Sequence, residues 1–200
     1  MLFSSVTFLY WFFPALIAVY FPVRPVRGKN LVLLAASLLF YFWGEPKYTL
    51  LLIASVLSGY VHGLLIERFR GRPGARAALI SGTVISIGLL AVFKYADFFI
   101  GTVNAVTGAK LPLPALALPI GISFYTFQIL SYLIDLYRGG IAVQRDPLTL
   151  ATYVALFPQL IAGPIVRYAE VERELSHREH TAEGFASGAF RFTVGLAKKV

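Results

Sequence analysis

The chain contains no cysteine. Disulfides, thiolate-held metals and cysteine nucleophiles are therefore excluded within this stretch. Charge is scarce as well: Asp, Glu, Lys and Arg make up 14% of the 200 residues, against roughly a quarter in a soluble domain. Apolar residues reach 58% and mean hydropathy is +0.72, which excludes an ordinary water-soluble globule. Low-complexity tracts and internal repeats are missing, and the lack of repeats weighs against a transporter built from duplicated halves. Acidic residues are the rarer sign, 10 against 18 Lys and Arg, for a net charge of +8. That excess does not point to nucleic acid. The basic residues crowd into short gaps between apolar runs, where they orient membrane segments.

What the sequence does have is a succession of apolar runs, several near the roughly 20 residues that cross a bilayer core. The first covers 3–23. No Lys or Arg precedes it and no small-residue cleavage site follows, so it predicts a retained helix rather than a signal peptide. The gap "RPVRGKN" carries Arg24, Arg27 and Lys29. A second run, 31–43, ends at the turn "GEPK", where Pro46 is a breaker. A third, 48–66, is followed by "ERFRGRPGAR" with Arg68, Arg70, Arg72 and Arg76. The fourth spans 77–95.

Both arginine-rich gaps are expected on the cytoplasmic side, with Met1, Glu45, Lys47 and the end of the fourth run near Lys94 outside. The short amphipathic stretch 96–108 is expected to lie in the interface plane. "AKLPLPALALP" then leads to a fifth run, 118–137, directed inward and ending at Arg138. The run 150–166 is interrupted by Pro158 and by Gly163-Pro164. It either crosses or dips in and returns, the latter tolerated only where protein or a water-filled cavity surrounds it. Residues 167–183 alternate acids and bases and predict a solvated helix. The last run, from 185, is still apolar at Val200, so the natural chain is expected to continue.

The fifth run, "LPIGISFYTFQILSYLIDLYRG", holds more hydrogen-bonding groups than a lipid-facing helix can satisfy. At 100° per residue Gln128, Ser131, Tyr132 and Asp135 share one face, with Ser123 and Tyr125 further round. A carboxylate at membrane depth must be paired, neutralised or near the interface. Two readings of Asp135 remain open: pairing with Arg138 at the cytoplasmic end, or membership of a polar stripe lining a cavity. Gln128 and Ser131 serve either helix–helix hydrogen bonding or the same stripe. His62 lies inside the third run and predicts a helix–helix hydrogen bond. His177 and His180 sit in a charged segment without a clean metal-ligand set.

The fifth run together with "FPQLIAGPIVRY" (157–168) resembles the membrane-bound O-acyltransferase family, and above all its bacterial branch of alginate O-acetylation, peptidoglycan O-acetylation and teichoic-acid D-alanylation proteins. The opening "MLFSSVTFLYWFFPALIAVYF", "NLVLLAASLLFYFWGEPKY", "FKYADFF" and the closing "GLAKKV" carry the same likeness, in order. The resemblance implies an all-α, polytopic transmembrane protein with about five to seven membrane segments in 1–200, some short or re-entrant. It implies that 1–200 is a single N-terminal portion of the membrane domain. The catalytic histidine would lie in a later apolar helix beyond residue 200, leaving no catalytic residue here.

The implied reaction is acyl transfer, acetyl in the first instance, to a hydroxyl of an extracytoplasmic polysaccharide such as alginate. Alternatives are peptidoglycan O-acetylation or D-alanyl transfer to teichoic acid. A hydroxyl is a poor nucleophile at neutral pH, so a histidine base would take its proton. The donor would be a cytoplasmic acyl-CoA or acyl-carrier thioester, a substrate rather than a bound cofactor. The partners implied are the membrane, that donor, the acceptor polymer and an extracytoplasmic acyltransferase, at the bacterial inner membrane. Donor and acceptor must meet in a pore, for which Tyr125, Gln128, Ser131, Asp135, Pro158, Gln159 and Arg167 are the lining or scaffold candidates. Competing classes are a transporter and a non-catalytic, truncated membrane scaffold.

Overall fold

Proline placement sets where the helices begin. The structure, a computed structural model, describes residues 4–199. A π-helical turn, Phe8–Phe12, leads into α1, Phe13–Tyr20. Then follow α2 (Val26–Gly44), α3 (Pro46–Arg68), α4 (Pro73–Thr107), α5 (Ile122–Tyr137), α6 (Pro147–Ala155), α7 (Phe157–Ala162), α8 (Tyr168–Ser176) and α9 (Ala182–Lys199). Among the described residues there is no strand. Helices α1, α3, α4, α6 and α7 each carry proline in the first turn, where its missing N–H has no intrahelical partner to lose. Among the described residues two helices, α3 and α4, are long and apolar enough to cross a membrane.

Three boundaries differ from the sequence expectation. Lys29 and Asn30 lie inside α2 and are buried rather than forming an exposed gap. The stretches 77–95 and 96–108 are one helix of 35 residues, not a span and an interfacial helix. No proline interrupts α4, and Lys94 and Asp97 point outward without breaking its backbone ladder. It ends at Gly108, whose φ of 69° forms a left-handed cap. The fifth run becomes helical only at Ile122. Pro119 and Gly121 make a turn first, with the Ile122 amide donating to Pro119 O at 3.2 Å. Gly121 has φ 77°, and a Cβ there would stand 2.7 Å from Leu160 O, so both backbone and packing require glycine.

The interrupted run, open between crossing and returning, breaks at its proline. Pro158 has no N–H for Val154 O, so α6 cannot continue, and the chain breaks at Leu156 (ψ 111°) before α7. Helix α6 starts beside the start of α2: Arg27 pairs with Asp146 at 3.4 Å, and Asn30 Nδ2 donates to Thr149 Oγ1 at 3.3 Å. Leu160 of α7 reaches Gly121 at the opposite end of α5. The chain then comes back. Tyr153 Oη donates to Val166 O, and Asn30 Nδ2 to Leu175 O at 3.0 Å. Residues 146–175 therefore go in and return to the same end of α2. Phe157, at the break, stacks among Phe8, Phe12 and Phe40.

Helix α5 sits at the centre, packed against α3, α4, α6, α7 and α8. Close approach depends on small residues, as is usual between membrane helices. A Cβ at Gly59 would meet Ile129 at 2.8 Å, and one at Gly82 would meet Leu133 at 2.9 Å. The periphery is apolar: Trp11, Trp43, Leu50 and Phe98 are all at least two-thirds exposed. The connector from α4 to α5 is tied back onto α4. Asn104 exchanges two hydrogen bonds with Leu111, and the Ala115 amide donates to Asp97 Oδ1 at 3.0 Å. Helix α9 runs antiparallel along α1, Phe185 meeting Phe21 and Phe192 meeting Phe13.

Candidate functional site

The polar face of α5 looks towards the returning segment. Asp135 is 6% exposed. Arg167, just before α8, reaches it with two parallel bonds, Nε to Oδ2 at 3.1 Å and Nη2 to Oδ1 at 2.5 Å. Of the two readings left open for Asp135, pairing with Arg138 is not the one observed. Arg138 caps α5, one turn on from Asp135, and its side chain is exposed. The pair is asymmetric: the Arg167 side chain is 57% exposed while the Asp135 side chain is 8% exposed. A planar fork matched to a carboxylate gives this contact both strength and direction. The Asp135 carboxylate beside it holds the Arg167 guanidinium further above its already high range.

Two turns towards the start of α5, Gln128 is 1% exposed and its Nε2 lies 3.4 Å from Gln159 Oε1 on α7, a long hydrogen bond. Ser131 closes back on its own helix, donating to Gln128 O at 3.1 Å. Gln128 Oε1 and Tyr125 Oη are buried and have no hydrogen-bond partner among the described residues. Ser55 is the polar side chain beside Tyr125, but its hydroxyl donates to Leu51 O at 2.8 Å. An unsatisfied buried polar group costs about 1–3 kcal/mol, and such groups mark candidate functional positions. Pro158 is exposed at the head of α7 and touches none of the polar candidates through a hydrogen bond. The structure thus brings Gln128 to Gln159 and Asp135 to Arg167. It leaves Tyr125 alone in the first turn and uses Ser131 locally.

A tyrosine cluster escaped the sequence reading. The Tyr168 ring packs edge-on against Tyr132 and Tyr153, each at 5.3 Å. Gln144 joins them: its amide donates to Tyr132 Oη at 3.0 Å and its Nε2 to Tyr168 Oη at 2.8 Å. Burial pushes the Tyr168 phenol above its ordinary range, so it stays protonated. Gln144 lies in a loop and Tyr153 in an apolar run, so neither carries a periodic signal. The Tyr168 at the end of "FPQLIAGPIVRY" was the available clue.

The histidines are separate from this face. His62 does not bridge helices as expected: its Nδ1 bonds Ser58 O one turn back at 2.7 Å. Its ring instead packs where Gly82 leaves room. His177 caps α8. His180 meets Tyr20 Oη at 3.3 Å. No acid–base pair therefore stands on the α5 face, whose chemistry is that of amides, hydroxyls and one ion pair. These groups bind and orient polar molecules.

No family model and no solved structure matches the chain. Curated relatives do, over all of its residues. It is 39% identical to the probable alginate O-acetylase AlgI of Azotobacter vinelandii and 39% identical to that of Pseudomonas aeruginosa. It is 32% identical to the peptidoglycan O-acetyltransferase of Helicobacter pylori. The chain spans 41%, 39% and 44% of those relatives' lengths. The similarity to these O-acetylating proteins extends along the whole chain, α5 and the broken α6–α7 segment included.

Proposed function

We propose that the chain serves a membrane O-acyltransferase that moves an acyl group, acetyl in the first instance, onto a hydroxyl of an extracytoplasmic polysaccharide. The observation that carries this reading is the 39% identity, along the whole chain, to two proteins named probable alginate O-acetylases. Alginate is the first acceptor to test. Peptidoglycan is the second, favoured by the Helicobacter pylori relative. D-alanyl transfer to teichoic acid stands behind both. The acyl donor is a cytoplasmic thioester, acyl-CoA or an acyl carrier, and an extracytoplasmic acyltransferase takes the group onward. The protein sits in the bacterial inner membrane with several crossings beyond the two long helices. The ends near Arg27, Arg70 and Arg145 face the cytoplasm, and the α4–α5 connector faces out.

In this reading the α6–α7 segment enters from the cytoplasmic side and returns, a form acceptable at membrane depth because protein surrounds it. Tyr125, Gln128, Ser131 and Gln159 supply the polar middle of a substrate path, and Asp135–Arg167 its cytoplasmic mouth, with Pro158 shaping the break. None of these is a catalytic group. A histidine base outside this set takes the acceptor proton. In the complete gene product, Gln128→Leu is expected to lower acyl transfer to polysaccharide roughly tenfold, worth about 1.4 kcal/mol, with membrane yield unchanged. Unaltered transfer would remove Gln128 from the path. Loss of ester-linked acetate from alginate, but not from peptidoglycan, on deletion of the gene assigns the acceptor.

A further inference from the structure

The turn between α3 and α4 gathers more positive charge than it neutralises. Arg70, Arg72 and Arg76 line one cleft of about 540 Å³, and no acidic side chain lines it. Only Arg70 has a carboxylate: its Nη2 stands 2.7 Å from Glu67 Oε2, and its Nε donates to the same oxygen at 2.8 Å. Arg70 also reaches across to α5, Nη2 donating to Leu136 O at 3.4 Å, where a cation meets the negative end of a helix. Arg72 and Arg76 are exposed and take part in no ion pair among the described residues. Asp135, beside Leu136 in sequence, is taken by Arg167. The backbone brings the three arginines together. Gly71, at φ 77°, turns the chain between α3 and α4, and Arg72 and Arg76 stand one helical turn apart at the head of α4. Orienting the protein requires only that arginines lie in this gap. It does not require three to line one cleft, two of them without a counter-charge.

The rest of the lining is mainly apolar. Ile66 of α3, Ala75 of α4 and Leu136 of α5 line the same cleft and are buried. From Arg76 an apolar stripe continues along α4: Ile80, Val84 and Ile87 follow at steps of four, four and three residues, and all are exposed. A guanidinium fork binds a phosphate through two parallel bonds, and an exposed apolar stripe accepts a hydrocarbon chain. A free anion would use the first alone, whereas an anionic lipid uses both. By the distribution of arginines this turn faces the cytoplasmic leaflet, which carries anionic lipid, and basic pockets between membrane helices on that side suit anionic head groups. We propose that the cleft between the α3–α4 turn and the end of α5 binds an anionic phospholipid, its phosphate held by Arg72 and Arg76 and one acyl chain lying along Ile80 and Val84. The cleft shares no residue with the candidate substrate path and does not depend on which acceptor the enzyme uses.

The test is native mass spectrometry of the complete gene product, released from micelles that hold phosphatidylglycerol and phosphatidylcholine in equal amounts. The ratio of the first retained adduct of each lipid is read. The wild type is expected to favour phosphatidylglycerol by a factor on the order of ten. Arg72→Gln with Arg76→Gln is expected to bring that factor near one. Arg72, the N-cap of α4, makes no side-chain capping bond, and neither arginine has an ion-pair partner to lose, so the helix stays in place. Arg24→Gln with Arg145→Gln removes the same charge from exposed positions outside the cleft, and is expected to keep the preference. A wild type with no preference overturns the proposal, as does a preference that survives the change at Arg72 and Arg76. A preference lost equally on changing Arg24 and Arg145 would overturn it in favour of diffuse attraction. Displacement of phosphatidylglycerol by equimolar inorganic phosphate would do so in favour of a free-anion site, and displacement by equimolar acetyl-CoA in favour of the acyl donor.

Discussion

Asp135 shows how far a single residue can be read without coordinates. Its position in an apolar helix required a partner on physical grounds alone, and a partner is present. Which arginine it would be was not legible. Arg138 is three residues away in sequence, but at the end of α5 its side chain turns out to solvent, whereas Arg167 is delivered by the returning segment. The two halves of the pair are not equivalent. Arg167 can rehydrate when its partner is lost, because more than half of its side chain is already exposed. Asp135 cannot. Arg167→Gln is therefore expected to lower the melting temperature of the purified protein by several degrees, and Asp135→Asn by clearly less. Equal losses would mean that the pair contributes through attraction rather than through relief of a buried carboxylate.

Elements were more legible than contacts. The proline at the head of α3 and the break at Pro158 were readable because proline acts locally, by removing an N–H. The continuity of α4 was not. The charges at Lys94 and Asp97 looked like the end of a span, yet nothing there interferes with helical hydrogen bonding. The choice between crossing and returning at 150–166 depended on long-range bonds to Asn30 and could not come from local pattern. Packing between elements supplies a direct check. Gly59 lies where α3 meets Ile129 of α5, whereas Gly88 of α4 faces open space. Gly59→Ala is expected to destabilise the protein by about 1–3 kcal/mol through overpacking. Gly88→Ala is expected to stabilise it by up to about 1 kcal/mol through helix propensity. Chemical unfolding of the two variants beside the wild type reads both signs. A neutral Gly59→Ala would mean that α3 and α5 are less closely packed than described.

On the scale of the whole molecule, charge placement predicts the orientation of the chain in the bilayer, and the absence of cysteine makes that easy to measure. Single cysteines at Arg72, between α3 and α4, and at Lys110, in the α4–α5 connector, have no native thiol within residues 1–200 to compete with. In intact cells a membrane-impermeant maleimide is expected to label Lys110→Cys and not Arg72→Cys. The reverse pattern would invert the topology, and with it the side from which the acyl donor arrives. Orientation also gives meaning to the length of α4. Its 35 residues extend about 52 Å, well past a hydrocarbon core of about 30 Å. The overhanging end is bound to the connector through Asn104 and Asp97, and the connector leads straight into the Gly121 turn at the head of α5. Any tilt of α4 in the bilayer would therefore be felt at the connector. A tilt of about 10° about its midpoint would move its far end by about 5 Å, at the connector that leads to the turn from which Tyr125 and Gln128 hang.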